Sequence, residues 1–454
     1  MDQKRLVLIA STIASFLTPF MGSSVNLALP SIEREFEIDA IFLAWITTAF
    51  LLSTAIFLVP MGRLADIRGR RSFFVSGLLL FALSSILCSL AFSGASLAVF
   101  RFLQGIGAAM IASTGVAMLT SAFPPQERGK VLGINTSAVY VGLSLGPILG
   151  GFITQNFGWR FLFLFPVFLA FPAIFAILKV RQEWAEAGGE KFDLPGSLMY
   201  STSLFMLIYG FSHLPETQGF LLVFAGALAL IAFAFLESRI ESPVLDVKMF
   251  RKNVVFGMSN LAALLNYSAT FAVAFLMSLY LQYVKNLSPQ DAGLILLAQP
   301  AIMALSSPIS GSLSDRIEPR IVASIGMAIT AFALFLFSML TEETPLEFVV
   351  GNLILLGLGF GLFSSPNTNA VMSSVDRKFY GIASATLATM RVIGQAFSMG
   401  MVTLIFALMI GKSRIPEVMP DFIVAVRVSF MISAVLCIIG VFASLARGKV
   451  RKNY

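Results

Sequence analysis

The chain has 454 residues, of which 57% are hydrophobic and 12% charged, about half the charged share of an ordinary soluble domain. That much apolar sequence, without the polar faces that soluble helices carry, excludes a water-soluble fold. The formal charge of +7 does not indicate a nucleic-acid partner, because Lys and Arg are confined to short segments between apolar runs.

Apolar runs predict helices that cross a bilayer at 6–29, 42–61, 72–92, 96–119, 131–154, 161–178, 196–211, 220–236, 256–282, 292–311, 321–340, 346–371, 380–410 and 422–446. A hydrocarbon core of about 30 Å takes roughly 20 helical residues. The alternating ten-residue segments of a membrane β-barrel are absent. The first run follows Lys4 and Arg5 as a signal peptide would, but it exceeds a signal core of about 7–15 residues and is expected to be an uncleaved span. The runs at 196–211 and 220–236 are short enough to form a re-entrant pair instead, so twelve spans is the alternative. With fourteen, both termini share one side. Of the 31 Lys and Arg, 23 fall on that side, five fall opposite (Arg34, Arg160, Lys285, Lys412 and Arg414), and Arg101, Arg391 and Arg427 lie within spans. The positive-inside rule therefore places both termini in the cytoplasm, in a multi-pass protein of the cell membrane.

The chain repeats itself. At an offset of 252 residues Gly105, Gly107, Gly129 and Gly142 match Gly357, Gly359, Gly381 and Gly394, and at 249 the segment Gly62–Asp66 matches Gly311–Asp315. The expected fold is an all-α polytopic membrane protein with two pseudo-symmetric six-helix bundles, 1–180 and 254–454. A two-span insert, 181–253, joins them, and a substrate cavity is expected between the bundles near the midplane.

Soluble chemistries find no footing. Cys88 and Cys437 sit inside apolar runs, and His213 is the single histidine, so no disulfide framework, metal cluster or histidine triad is expected. Gly357, Gly359 and Gly361 lie inside an apolar span without a preceding strand, and Gly411-Lys412-Ser413 lacks the upstream glycine of a phosphate loop. No cofactor, no ATP site and no enzymatic activity are expected, and lipid is the expected surround.

The loop after the second span reads Gly62-Arg63-Leu64-Ala65-Asp66-Ile67-Arg68-Gly69-Arg70-Arg71. Its glycines permit a tight turn, and Asp66 is able to pair with an arginine or accept from a helix N-terminus. This loop resembles the signature of the major facilitator superfamily. Gly62, Asp66, Arg70 and Arg71, with Gly311, Asp315 and Arg320 of the second copy, are expected to form a gating latch between the bundles. Arg101, followed by Gln104, Gly105 and Gly107, resembles the arginine-bearing span of that family, which implies a part in coupling or gating. The stretch Gly142, Gly146, Pro147, Gly150 and Gly151 presents small residues on one face, expected to pack against the other bundle, and resembles the motif of the antiporter branch.

Further segments in order along the chain resemble the fourteen-span drug:proton antiporters. They are Val25-Asn26 to Pro30, Trp45 to Thr48, Gly158-Trp159-Arg160, Phe192-Asp193 to Gly196, Pro243 to Asp246 with Phe250-Arg251, and Leu281-Gln282. The resemblance implies efflux of small amphiphiles driven by a proton gradient, by a chain that functions as a monomer. Two positions depart from it: Met21 stands where an acid is usual in the first span, and Phe50 where a tyrosine is common. None of the 24 Asp and Glu residues falls deep in a span. A transporter-like sensor, or an uncoupled facilitator of anionic or neutral solutes, is the alternative. Asn26, Trp45, Gln104, Asn266, Gln282, Arg391 and Gln395 are the expected cavity residues, since polar groups at that depth need a partner or water. Arg391, near mid-span, needs a counter-ion, carbonyls or an anionic ligand, so neutral or anionic amphiphiles are expected to be preferred to dications.

Overall fold

A computed structural model describes residues 3–448 apart from 212, 241–242, 246, 315 and 376–379. All regular structure among the described residues is helical. The first half holds α1 (Gln3–Phe36), α2 (Ala40–Arg68), α3 (Arg70–Ser89), α4 (Gly94–Ala122), α5 (Pro125–Phe157), α6 (Trp159–Leu178), α7 (Leu194–Phe211) and α8 (Thr217–Glu237). After the short α9 (Val247–Lys252) come α10 (Val254–Thr270), α11 (Ala272–Leu279), α12 (Pro289–Leu296), α13 (Ala298–Ser314), α14 (Pro319–Phe337), α15 (Leu346–Ser373), α16 (Tyr380–Met409) and α17 (Met419–Ala446). A π-helical turn, Tyr280–Val284, follows α11 without a break, and one membrane passage runs from Val254 to Val284.

Thirteen described stretches are long and apolar enough to span a membrane. The 18-residue α7 is the remaining predicted span, and it packs along α8. The surface of α8 shows what solvent it expects. Its buried residues Gly219, Gly226 and Phe233 form a seam at sevenfold spacing, whereas Phe220, Leu221, Phe224, Leu228 and Ile231 are exposed. Only lipid accommodates so wide an apolar face without cost.

Contacts divide the chain into two units, Met1–Leu245 with Ser288–Gly293, and Asp246–Leu287 with Leu294–Tyr454. The two spans of the insert are therefore part of the first unit. The insert is fixed to α2, where the Tyr200 hydroxyl donates to the Ala55 carbonyl at 3.0 Å and Ser201 donates to that of Ile56 at 2.9 Å.

Inside each unit the helices pair alike. In the first, α1 packs on α5 and α6, α4 on α2 and α3, and α3 on α6. In the second, α10 packs on α16 and α17, α15 on α13 and α14, and α14 on α17. The matched glycines are the contact points. A Cβ on Gly105 would lie 2.3 Å from the Phe50 carbonyl oxygen on α2, and one on Gly357 would lie 2.4 Å from that of Gln299 on α13. Gly107 would meet the Phe81 nitrogen on α3 at 2.7 Å, and Gly359 the Thr330 nitrogen on α14 at 2.7 Å. The sequence repeat is thus a repeat of backbone-to-backbone approaches, which lipid-embedded helices use because apolar burial gives them no driving force over lipid.

The segments flanking the insert are helix terminators and starters. Asp193 accepts the Gly196 N–H at 3.0 Å at the start of α7. Glu237, the last residue of α8, accepts the N–H groups of Val244 and Leu245, closing the turn after it. At the opposite end of α6, Trp159 and Arg160 both donate to the Glu35 carboxylate, at 2.7 and 2.6 Å, tying the start of α6 to the end of α1.

Candidate functional site

The signature loop is held by a strap. Residues 180–190 fold back from the end of α6 onto the α2–α3 turn, and Val180, Trp184 and Ala187 are buried beneath it. Gly69 has φ +125°, a conformation that favours glycine, and a Cβ there would lie 2.5 Å from the Glu183 carboxyl carbon. The Glu183 carboxylate fills that space. It accepts the Arg71 N–H at 2.7 Å, the Ser72 N–H at 3.1 Å and the Ser72 hydroxyl at 2.6 Å, so it caps α3, whose own N-cap residue has no side chain. Arg70 is the hub. Its Nε donates to Asp66 at 2.6 Å, and its Nη1 donates to Ser121 and to Glu186, both at 2.8 Å. The backbone joins in through Arg70 N–H to Trp184 O and Ala187 N–H to Asp66 O. Arg63 pairs with Glu190 at 2.5 Å, and Arg71 reaches the end carbonyls of α6 at Ile177 and Leu178.

The residues expected to form the latch make these contacts. As described, Asp66, Arg70 and Arg71 bind within the first unit, to each other and to the strap. A Cβ on Gly62 would lie 3.2 Å from Ser113 Cβ on α4, again inside that unit. Of the second copy, a Cβ on Gly311 would lie 3.8 Å from Ser365 Cβ, Arg320 is half-buried at the start of α14, and Asp315 lies outside the described residues. The hydrogen bond from Ser121, with the Arg70 charge, holds the Glu186 carboxyl below the usual carboxylate range against the opposing effect of burial. A depressed carboxylate contributes stability above its unfolded pKa and loses it as pH falls through the folded value, so the strap stays docked at neutral pH and loosens only in acid. Glu183→Ala removes the cap from α3, a change worth about 1 kcal/mol at a typical N-terminus. Faster cleavage of the variant by protease within 180–192, with the rest of the digest unchanged, is the expected result.

The small-residue face of α5 also meets its own unit. Gly142, Gly146 and Gly150 face α1, whereas Gly151 and Pro147 face the start of α12, which belongs to the segment expected to form the other bundle. A Cβ on Gly142 would lie 2.6 Å from the Phe16 carbonyl oxygen, one on Gly146 1.8 Å from the Ser23 hydroxyl, and one on Gly150 2.8 Å from Ser24 Cα. A Cβ on Gly151 would lie 2.3 Å from the Pro289 carbonyl oxygen, in the segment that groups with the first unit, and Pro147 interrupts the α5 backbone ladder between these contacts.

Two embedded arginines have different surroundings. Arg101 on α4 is fully buried, its Nε donating to the Ile46 carbonyl at 3.2 Å, its Nη1 to Gln104, and its guanidinium lying 4.3 Å from the Phe50 ring centroid. Gln104 is anchored in turn by donating to Ser85 at 2.7 Å. Among the described residues no carboxylate pairs with Arg101, and its Nη2 has no partner. Phe50, where a tyrosine is common in the resembling proteins, is thus the aromatic face of this cation. Arg391 on α16 is half-buried, donating from Nη2 to the Thr368 hydroxyl at 2.7 Å and lying 5.6 Å from the Tyr267 ring.

The other expected cavity residues separate by exposure. Asn26, Gln104 and Asn266 are wholly buried among helices, and Asn266 donates to the Cys437 sulfur at 3.9 Å. Gln282 lies in the π-helical turn and donates to Ser278 at 3.0 Å. Trp45 is half-buried, 5.7 Å from the Tyr209 ring of α7, and Gln395 is half-buried one turn beyond Arg391. An apolar groove in the second unit, lined by Phe250, Val254, Gly257, Met258, Leu261 and Met390, offers no polar side chain to orient a ligand.

Sequence reasoning missed three features. The acids of the strap read as ordinary loop charge, Arg447 reads as a flanking charge yet is fully buried, and Glu33, near the end of α1, is buried too. Glu183, Glu186 and Glu190, recurring opposite a basic loop, were the available signal for the strap.

The sequence profile described as Major Facilitator Superfamily matches residues 11–399 and 259–453. Among curated proteins, the riboflavin transporter RibZ of Clostridioides difficile is 30% identical over 450 residues, covering 98% of each chain. The multidrug resistance protein Stp of Mycobacterium tuberculosis is 29% identical, covering 91% of this chain and 78% of its own. Among solved structures, a bacterial homolog of the human lysosomal transporter Spinster superposes with a TM-score of 0.70 at 17% identity, covering 98% of this chain and 97% of its own. With its two like-packed helical units and a profile match across nearly its whole length, the chain belongs to the Major Facilitator Superfamily, a family of secondary transporters.

Proposed function

We propose that this protein exports small amphiphilic organic compounds across the cell membrane by alternating access, driven by a proton gradient, with both termini in the cytoplasm. The observation that carries this reading is the Arg101 network. A charge at a helix centre costs about 2.5–3.5 kcal/mol on insertion scales, and here it is held by a carbonyl, an amide and an aromatic ring rather than neutralised by a carboxylate. Such a cation responds to the charge state of whatever approaches it, which is the property a coupling group needs. The relatives narrow the cargo. RibZ is named for riboflavin and matches from end to end, while Stp is named for multidrug resistance, so flat heteroaromatic compounds are the first candidates.

The test is accumulation of riboflavin and of fluorescent drugs in energised cells with and without the protein. Lower accumulation that a protonophore abolishes supports the reading, and accumulation that the protein leaves unchanged overturns it. Asp66→Asn takes charge from the Arg70 hub at nearly constant volume, and it is expected to leave the protein inserted while slowing efflux several-fold. Equal efflux at equal expression would remove the signature loop from the transport cycle. Uncoupled facilitation of anionic or neutral solutes is favoured by one observation: Met21, where related antiporters are expected to carry an acid, is fully buried in α1. Efflux indifferent to the protonophore selects that reading.

A further inference from the structure

Arg391 is eleven residues from the start of α16, about 16 Å along the helix at 1.5 Å per residue, and eighteen residues from its end. At that depth a guanidinium must be met by a counter-ion, by carbonyl oxygens or by a ligand. Among the described residues no carboxylate lies within ion-pair distance of it. Carbonyls are missing as well, and this sets it apart from the other arginines in or beside spans. Arg101 donates to Ile46 O at 3.2 Å, Arg427 to Ser338 O at 3.0 Å and Arg447 to Pro319 O at 3.2 Å. Among the described residues Arg391 has one hydrogen bond, to a neutral hydroxyl, and its Nε is buried without a partner. The hydroxyl is itself fixed, since Thr368 donates to Ser364 O at 2.8 Å and so presents a lone pair to the guanidinium.

The face that carries Arg391 is suited to a polar ligand. Ser384, Ala388, Arg391 and Gln395 recur at spacings of three and four, so they share one side of α16, and each is half-buried. Ile382, nine residues before Arg391 and therefore on the opposite side, is exposed, as an apolar residue covered by lipid would be. Beside the guanidinium stands the Tyr267 ring, set edge-on against Phe360 with centroids 5.3 Å apart and an interplanar angle of 83°. A half-buried cation with spare donors in a planar fork, next to a fixed aromatic ring, is complementary to one flat anionic group attached to a π-system.

We propose that Arg391, positioned by Thr368 and flanked by Tyr267, is the subsite that selects the transported compound, and that it takes aromatic monoanions such as carboxylates. This inference rests on the transporter reading. It specifies the cargo's charge.

The experiment uses a matched naphthalene series: 1-naphthoate, its neutral amide and 1-naphthylmethylammonium. Binding to the purified full chain in detergent is measured by calorimetry, and counterflow of each compound is measured in reconstituted vesicles. The wild type is expected to bind naphthoate about tenfold or more tightly than the amide, the amount one charge-assisted fork contributes. Arg391→Gln is expected to abolish that preference while leaving the amide within about twofold, and Arg391→Lys, which keeps the charge without the fork, to retain part of it. Equal binding of naphthoate and amide by the wild type, no binding of naphthoate, or a uniform loss across the series in Arg391→Gln overturns the proposal. Should Arg391→Gln fail to fold, the Arg391→Lys and wild-type comparisons decide it alone. Counterflow of the amide without preference for naphthoate leaves the transporter standing and removes the subsite; Arg391-dependent naphthoate binding without counterflow of any compound does the reverse.

Discussion

Arg447→Ala is expected to lower the thermal stability of the purified protein more than any other single charge removal. The side chain is fully buried just past the end of α17, and four hydrogen bonds radiate from it: to Ser259 at 3.2 Å, Asn367 at 2.9 Å, the Pro319 carbonyl at 3.2 Å and Ser444 at 3.1 Å. These partners sit on or beside α10, α15, α14 and α17, so one guanidinium fastens four helix ends of the second unit. Removing it strands acceptors that water does not reach. Each stranded group costs about 1–3 kcal/mol, and because the costs within one network are not additive, a total near 3 kcal/mol is expected. Arg447→Lys keeps the charge but not the forked reach, and it should recover a minor part of the loss. An unchanged melting temperature for Arg447→Ala in detergent would show that the network contributes nothing net.

Gly142→Leu and Gly394→Leu are expected to disrupt the first and second units to similar extents. Each places a Cβ 2.6 Å from a carbonyl oxygen of a neighbouring helix, Phe16 on α1 for Gly142 and Leu264 on α10 for Gly394. Backbone oxygens inside a helix do not rotate away as a side chain does, so the two helices must separate along their length. Overpacking costs about 1–3 kcal/mol in soluble cores, and a forced helix separation belongs at the upper end of that range. Gly133→Leu is the control. It lies on the same α5 in open space and should leave expression, monodispersity and melting temperature unchanged. Size-exclusion profiles and thermal melts of the three variants decide the matter; tolerance of Leu at both 142 and 394 would contradict the described packing.

The spans were legible because run length alone sets whether a helix crosses a bilayer, and every predicted span coincides with described helix. The internal repeat was legible for a related reason. Close approach demands glycine, and Gly105, Gly107 and Gly142 recur at a fixed offset because both units approach at the same places. What glycine spacing does not carry is the identity of the partner, and so the division of the Gly142–Gly151 face between α1 and α12 was not legible. Ion pairs were hidden for another reason. Arg70 starts α3 while Glu183 and Glu186 lie in the segment after α6, and nothing local says that this segment doubles back beneath the α2–α3 turn. Charge in a loop also satisfies the topology rule, which masked the burial of Arg447. The depth of Arg391 was visible from its place in the run, whereas its lack of a carboxylate or carbonyl partner among the described residues is a tertiary fact.

The claim that this chain moves small organic molecules is tested most directly by counterflow with the purified protein, because exchange needs neither an energy source nor knowledge of the coupling ion. Vesicles are loaded with excess unlabelled riboflavin, diluted into a trace of labelled riboflavin without any ion gradient, and sampled over time. The account predicts a transient rise of internal label above its equilibrium level, followed by decay as the unlabelled pool runs down, and no rise in protein-free vesicles. Internal label that never exceeds equilibrium, for riboflavin and for every member of the naphthalene series, in vesicles whose protein gives a normal thermal melt, would contradict it.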